Sequence, residues 1–174
     1  MGVPDAVDRP EMPDGYGVPT DDGGLLAWST VDERLRHAQH YWLSTVRPDG
    51  RPHVVPRWGA WIDGALWYDG SPDTIHARNL RSNAACTLSI GDGAEAVVVE
   101  GTSGASEPLH ADRGAPIAAE IGRKYGEAGY RPEPDAWSGP DAGGLCVFRP
   151  DKALCWLSFP TDVTRFRFGS DGSR

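Results

Sequence analysis

From Tyr41 onward the chain runs in short apolar or alternating stretches, interrupted by Gly, Pro, Asn and Asp. That period of two, with turn residues at the breaks, predicts strands rather than helices. Tyr41-Trp42-Leu43-Ser44-Thr45-Val46 is rich in β-formers, Arg47-Pro48-Asp49-Gly50 is turn chemistry, and residues 52–56 resume an extended run, so a β-hairpin is expected. Residues 59–62 and 65–68 flank Asp63-Gly64, a pair suited to a type I′ turn, and predict that the sheet continues as a meander. Residues 85–90 and 95–101 read as two further strands, and residues 145–149, 153–158 and 164–168 as three closing ones.

Helical spacing occurs in three places. Thr30-Val31-Asp32-Glu33 matches a capping box, with Val31, Leu35 and Ala38 following on one face. Ser71-Pro72-Asp73-Thr74 predicts the start of a helix running to about Ser82, and Ile117, Ala118, Ile121 and Tyr125 predict a longer one over residues 115–125. Residues 1–28 are rich in Pro, Asp and Gly and predict an extended arm; residues 29–170 predict the folded domain, with a Gly/Pro/Asp-rich loop at 126–144. Some seven or eight mostly antiparallel strands with a few helices give an α+β class built round a barrel or curled sheet.

The 174 residues suit one domain, and 39% hydrophobic with 24% charged residues excludes a disordered or fibrous chain. A net charge of -8 argues against a general nucleic-acid binder, so any anionic ligand must be held locally. Of the basic residues only Lys124 and Lys152 are lysines, which leaves arginine to do that work. Cys86, Cys146 and Cys155 lie in apolar runs without metal-ligand spacing and read as buried free thiols. His37 and His40 lack a third ligand nearby and read as a solvated helix end, so no metal is expected. No leader-like segment and no long apolar run is visible, which predicts a soluble cytoplasmic protein with no membrane contact.

The common catalytic signatures for phosphate loops, zinc hydrolases and serine hydrolases are missing. Residues 71–80 instead gather hydroxyls, an imidazole, a guanidinium and an amide round a helix N-terminus, where free N–H groups and the helix dipole favour an anion. The same residues would also make an ordinary capped helix, with Arg78 in a surface ion pair. On the preceding strand His53, Val55 and Arg57 share a face; Arg57 can grip an anion or stand as a rim charge. Trp61, Trp67 and Trp156 sit in apolar strands and suit core filling, whereas Trp58 suits a pocket edge.

The stretch YWLSTVRPDGRPHVVPRWGAWIDGALWYDGSPDTIHARNLRSNAACTLSI resembles the core of pyridoxamine-phosphate-oxidase-like proteins, notably their actinobacterial deazaflavin-using branch, and the likeness spans roughly residues 30–168. The resemblance implies a dimeric split β-barrel holding FMN or the deazaflavin coenzyme F-420 (8-hydroxy-5-deazaflavin) in a groove between subunits. It implies that Ser71, Thr74, His76, Arg78 and Asn79 bind the phosphate, that His53, Val54, Val55, Pro56 and Arg57 run beside the ring, and that Trp58 and Trp61 shape the pocket. Relatives often carry Lys or Arg where His76 stands, which weakens the charge offered to a phosphate. The resemblance therefore implies an oxidoreductase transferring hydride to a small organic substrate, or else a non-catalytic flavin, deazaflavin or haem carrier. Pyridoxine-phosphate oxidation itself is disfavoured, because no second basic cluster would hold a substrate phosphate.

Overall fold

A computed structural model describes residues 2–169. The expected arm and domain end on residues 1 and 170, which lie outside the described residues. Within the arm, β1 (Ala6–Asp8) adds antiparallel to the last strand, and Arg9 donates to the carbonyls of Asp21, Thr161 and Val163, tying the segment to the sheet. Regular structure therefore reaches into a stretch whose composition disfavours it, because a neighbouring strand edge supplies the partner.

Helix α1 spans Trp28–His37 and buries Val31 and Leu35. The capping box is not formed: the helix starts earlier than its spacing implied, Ala27 is the N-cap and no side chain caps it. Asp32 instead accepts from Trp61 Nε1 at 2.8 Å and Arg36 Nε at 2.7 Å, so that carboxylate ties the helix to a strand. Next come β2 (Tyr41–Val46) and β3 (Pro52–Arg57), the expected hairpin, paired from Tyr41↔Arg57 to Val46↔Pro52. Then β4 (Ala60–Ile62) and β5 (Ala65–Asp69) close round Asp63 (φ 51°) and Gly64 (φ 74°), the positive pair that a type I′ turn needs. The meander is corrected here, since among the described residues β4 pairs only with β5 and the hairpin leaves the β2–β3 edge to join a strand much later in the chain.

Helix α2 (Ile75–Ser82) precedes β6 (Ala85–Gly91), β7 (Ala96–Ala105) and α3 (Ala111–Tyr125), which begins a turn before its apolar spacing and carries Pro116 inside its N-terminal half. The first two of the three closing strands are one continuous strand, β8 (Leu145–Trp156), followed by β9 (Thr164–Arg167). Pro150 and Asp151 suggested a break, but a bulge opposite Glu100 and Gly101 absorbs them, and Asp151 O accepts from Phe168 N at 2.9 Å. Gly101 faces Arg149 so closely that a Cβ would stand 2.1 Å from its carbonyl oxygen.

The sheet order β1-β9-β8-β7-β6-β2-β3, with β5 also on β8, curls the strands into a split β-barrel of α+β class. Tyr41 and Leu43 of β2, Leu88 of β6, Val97 and Val99 of β7, and Phe148 and Cys155 of β8 fill its interior together with α1. A second apolar cluster joins Ile117, Ile121 and Tyr125 of α3 to Ala60 and Leu145, closed by Trp137 from the 126–144 loop. Trp61 is core, as expected, and Trp67 and Trp156 are partly buried. All three cysteines are free; Cys86 and Cys155 are buried, which pushes their thiols up to about 12, and Cys146 is partly exposed. Among the described residues no helix is long and apolar enough to cross a membrane, and no cluster of His, Cys, Asp and Glu could hold a metal.

Candidate functional site

Among the described residues strand β3 is bonded to β2 alone, which leaves its second edge open, and neither of its faces is fully buried. Alternation turns half-buried His53, Val55 and Arg57 inward and leaves Val54 and Pro56 exposed on the outer face beside Trp42. The residues expected along the ring thus fall on two surfaces: His53, Val55 and Arg57 face α2, while Val54 and Pro56 do not.

Helix α2 begins at Thr74 with extended backbone and no side-chain cap, and its first turn carries no acidic residue. The Thr74 hydroxyl donates to Ser71 O at 3.0 Å and lies 3.3 Å from His76 Nε2, while Ser71 Oγ accepts from Asp73 N at 3.2 Å. His76 is only 4% exposed. Burial, then the positive charge of Arg57, then His53 push it down to about 4, so it is neutral near neutral pH. Arg57 and His53 of β3 therefore lie within electrostatic reach of His76 of α2, beside an uncapped helix end. Arg78 is exposed and forms no salt bridge among the described residues, so the surface ion pair is not made. Asn79 is buried, and its Nδ2 donates to Thr45 Oγ1 at 2.9 Å, which fastens α2 onto β2.

Arg57 lies over the Tyr68 ring, 5.5 Å from its centroid, and Nη2 donates to Asp69 O; Nε is buried without a hydrogen-bond partner. Beyond it, Trp58 stacks flat on Tyr125 (centroids 4.7 Å apart, 5° between planes) and donates from Nε1 to His40 Nε2 at 3.2 Å. The end of β3 is clamped from α3. Lys124 Nζ donates to Gly59 O and to Tyr41 OH, both at 3.0 Å, and Tyr125 OH accepts from Gly59 N at 2.9 Å. Burial of this ammonium pulls it down to about 8.

A cleft of about 640 Å³ opens beside these groups, lined by Arg57, Trp58, Asp69, Gly70 and Tyr130 among others. Its carboxylate is engaged, for Asp69 Oδ2 accepts from Tyr130 OH and from Trp137 Nε1 at 3.2 Å. Burial and that carboxylate both raise the Tyr130 phenol. Asp69, Lys124, Tyr125 and Tyr130 carry no motif and were not anticipated as site residues; an aromatic in a Gly/Pro-rich loop, Tyr130, was the available signal. The arrangement can bind an anion, stack a planar ring and keep water off one face of it, without an evident acid–base pair.

The pyridoxamine 5'-phosphate oxidase family profile matches residues 28–146. No curated protein matches the chain. Among solved structures, a conserved hypothetical protein of Mycobacterium tuberculosis is 18% identical, with 90% of this chain and 98% of that one covered at a TM-score of 0.56. An F420 reductase is 23% identical, with 82% and 98% covered and a TM-score of 0.50. A heme binding protein from Mycobacterium smegmatis is 18% identical, with 78% of this chain and 56% of that one covered at 0.57. At these identities the structures speak to the fold alone, and it is the same barrel that the strand pairing gives here. With the family profile running from α1 to the start of β8, the chain belongs to the pyridoxamine 5'-phosphate oxidase family.

Proposed function

We propose that this protein binds a redox nucleotide, the deazaflavin coenzyme F-420 or FMN, in the groove between β3 and α2, and that it is an oxidoreductase acting on a small organic substrate. The observation that carries this reading is the uncapped N-terminus of α2, with Arg57 and His53 within electrostatic reach of its buried His76, in a chain of net charge -8. A helix start without a side-chain cap, with the positive charge of Arg57 within electrostatic reach, favours a bound phosphate. The buried, unpartnered Nε of Arg57 fits an anionic or carbonyl-bearing ligand for the same reason.

In this reading Thr74, the first-turn amides of α2, Ser71 and Arg78 hold the phosphate with His53 at the groove's mouth, and Val55 and Arg57 lie along the ring. His76 and Asn79 support the groove from beneath, His76 as a neutral imidazole against Thr74 and Asn79 through Thr45. When bound, the ring supplies the hydride chemistry, while the protein orients it and excludes water. The outer face of β2 and β3, where Trp42 (45% exposed), Val46 (42%) and Val54 (54%) stand unpartnered beside Pro56, supports a homodimer that covers this apolar band. Free cysteines suit a reducing, cytoplasmic setting. F-420 is preferred over FMN, as in an actinobacterial deazaflavin-using branch, on the arginine-for-lysine composition and on the likeness to an F420 reductase.

A second reading, a flavin, deazaflavin or haem carrier without turnover, is favoured by the buried neutral His76 and by the likeness to a heme binding protein. Titration of the purified protein with F-420, FMN and haem, followed by tryptophan quenching, ranks the ligands. Reoxidation of the reduced, bound nucleotide by added quinones then separates enzyme from carrier: turnover above the protein-free rate supports the oxidoreductase, and tight binding without it supports the carrier.

A further inference from the structure

The cleft beyond Arg57 is a second binding element, distinct from the phosphate end of the groove. Of the Arg57 nitrogens only Nη2 finds a protein acceptor, a carbonyl, and among the described residues the guanidinium pairs with no carboxylate. Asp69, which lines the same cleft, gives Arg57 its backbone oxygen, while its carboxylate Oδ2 accepts from Tyr130 and Trp137. A half-buried cation left without a counter-ion in an acidic protein is a vacancy for an anion.

The rest of the cleft defines the shape of that anion. Trp58 is 40% exposed although one face is stacked on Tyr125, so it presents a fixed aromatic surface to the cleft. Its indole is held by His40, and the turn behind it by Lys124 and Tyr125, so little order is lost when a ring is laid on it. Tyr130 stands 6.4 Å from Trp58, tilted by 36°, and closes the far wall. Gly70 keeps the floor open: a Cβ there would lie 2.8 Å from Arg57 Nη2. A volume of about 640 Å³ suits a small organic molecule. With one guanidinium, no lysine and the Asp69 carboxylate in the lining, a single negative charge is matched and a phosphate dianion is not.

We propose that this cleft binds a planar, conjugated monoanion, a carboxylate or enolate, with its ring on Trp58 and its charge on Arg57. That this molecule is the substrate rests on the reading of the β3–α2 groove as the nucleotide site; that it binds does not.

Calorimetric titration of the full-length protein with 2-naphthoate and with neutral 2-naphthylmethanol tests the assignment. The acid is expected to bind about tenfold tighter than the alcohol. Arg57→Gln should abolish that preference, and Trp58→Ala should weaken both ligands about fivefold while Trp58→Phe recovers most of the loss. Thermal unfolding of each variant confirms that it is folded, and Thr74→Ala, at the phosphate end, should leave naphthoate affinity unchanged. No naphthoate binding to the wild type, equal affinity for acid and alcohol, or an acid preference that survives Arg57→Gln would overturn the proposal. Parallel titrations with FMN and F-420 separate the two readings. Naphthoate held through Arg57 when neither nucleotide binds leaves the cleft standing and removes the nucleotide site; nucleotide binding without naphthoate binding removes the cleft alone.

Discussion

Strands β8 and β3 belong to one sheet and show opposite ways of using an edge. β8 is bonded on both sides, to β7 along its length and to β5 and then β9 on the other, and it buries Leu145, Val147, Phe148, Ala153 and Cys155. Among the described residues β3 is bonded only to β2; it carries Pro52 and Pro56 and has no fully buried residue. Proline at an edge resists further strand pairing, so the inward groups of β3 stay within reach of a ligand instead of being sealed. The difference teaches that this barrel concentrates its stability where strands are doubly paired and keeps its chemistry where they are not.

Four substitutions test that division. The largest effect is expected at the doubly paired side. Gly101→Ala drives a Cβ to 2.1 Å from Arg149 O, in backbone that can yield only by breaking the β7–β8 ladder. A loss of about 3 kcal/mol or more in urea unfolding is expected, and near-wild-type stability would erase the contrast. Asn79→Ala comes next, because it removes the buried bond to Thr45 that joins α2 to β2. About 1–3 kcal/mol should be lost, together with a measurable fall in nucleotide affinity as α2 loosens.

His76→Gln acts through pH. His76 lies at about 4 in the folded chain and at its ordinary 6.5 when unfolded, so between these values the unfolded state takes up a proton that the folded state does not. Wild-type stability should therefore fall as pH drops from 6.5 towards 4, and the Gln variant should lack that part of the slope in urea midpoints measured across the window. Parallel profiles would show that His76 is not held neutral by its surroundings. The smallest effect on folding is expected from Val54→Asp, on the exposed face of β3: within about 0.5 kcal/mol. Sedimentation equilibrium should nonetheless find the variant monomeric and the wild type dimeric; a dimeric variant would move the interface elsewhere.

Much of the barrel could be read from residue order. The 41–57 hairpin and the Asp63-Gly64 turn lie in local alternation and turn chemistry, which need no distant partner, and both are found as expected. Errors came where a remote segment decides. Pro150-Asp151 signals a break, yet Gly101, some 50 residues earlier, accommodates a bulge there. Thr30 and Glu33 look like a capping box, but Trp28 packs against Phe166 and Phe168 and draws the helix start back to itself. The strand carrying His53 and Arg57 and the helix start at Thr74 were legible because each is a local pattern. That Arg57 and His53 come within electrostatic reach of His76, and that Tyr130 and Asp69 wall a cleft beside Arg57, depends on how β5, α2 and the 126–144 loop return to β3, which no spacing encodes.

The most direct test of the nucleotide site is absorbance titration of F-420 and FMN into the wild type, the His53→Ala/Thr74→Ala double variant, and Arg149→Ala as an exposed-arginine control on β8. Removing two groups from the proposed phosphate end should weaken binding about a hundredfold, at about tenfold per group, while the control retains wild-type affinity. Unchanged affinity in the double variant, or no binding of either nucleotide by the wild type, would contradict the account.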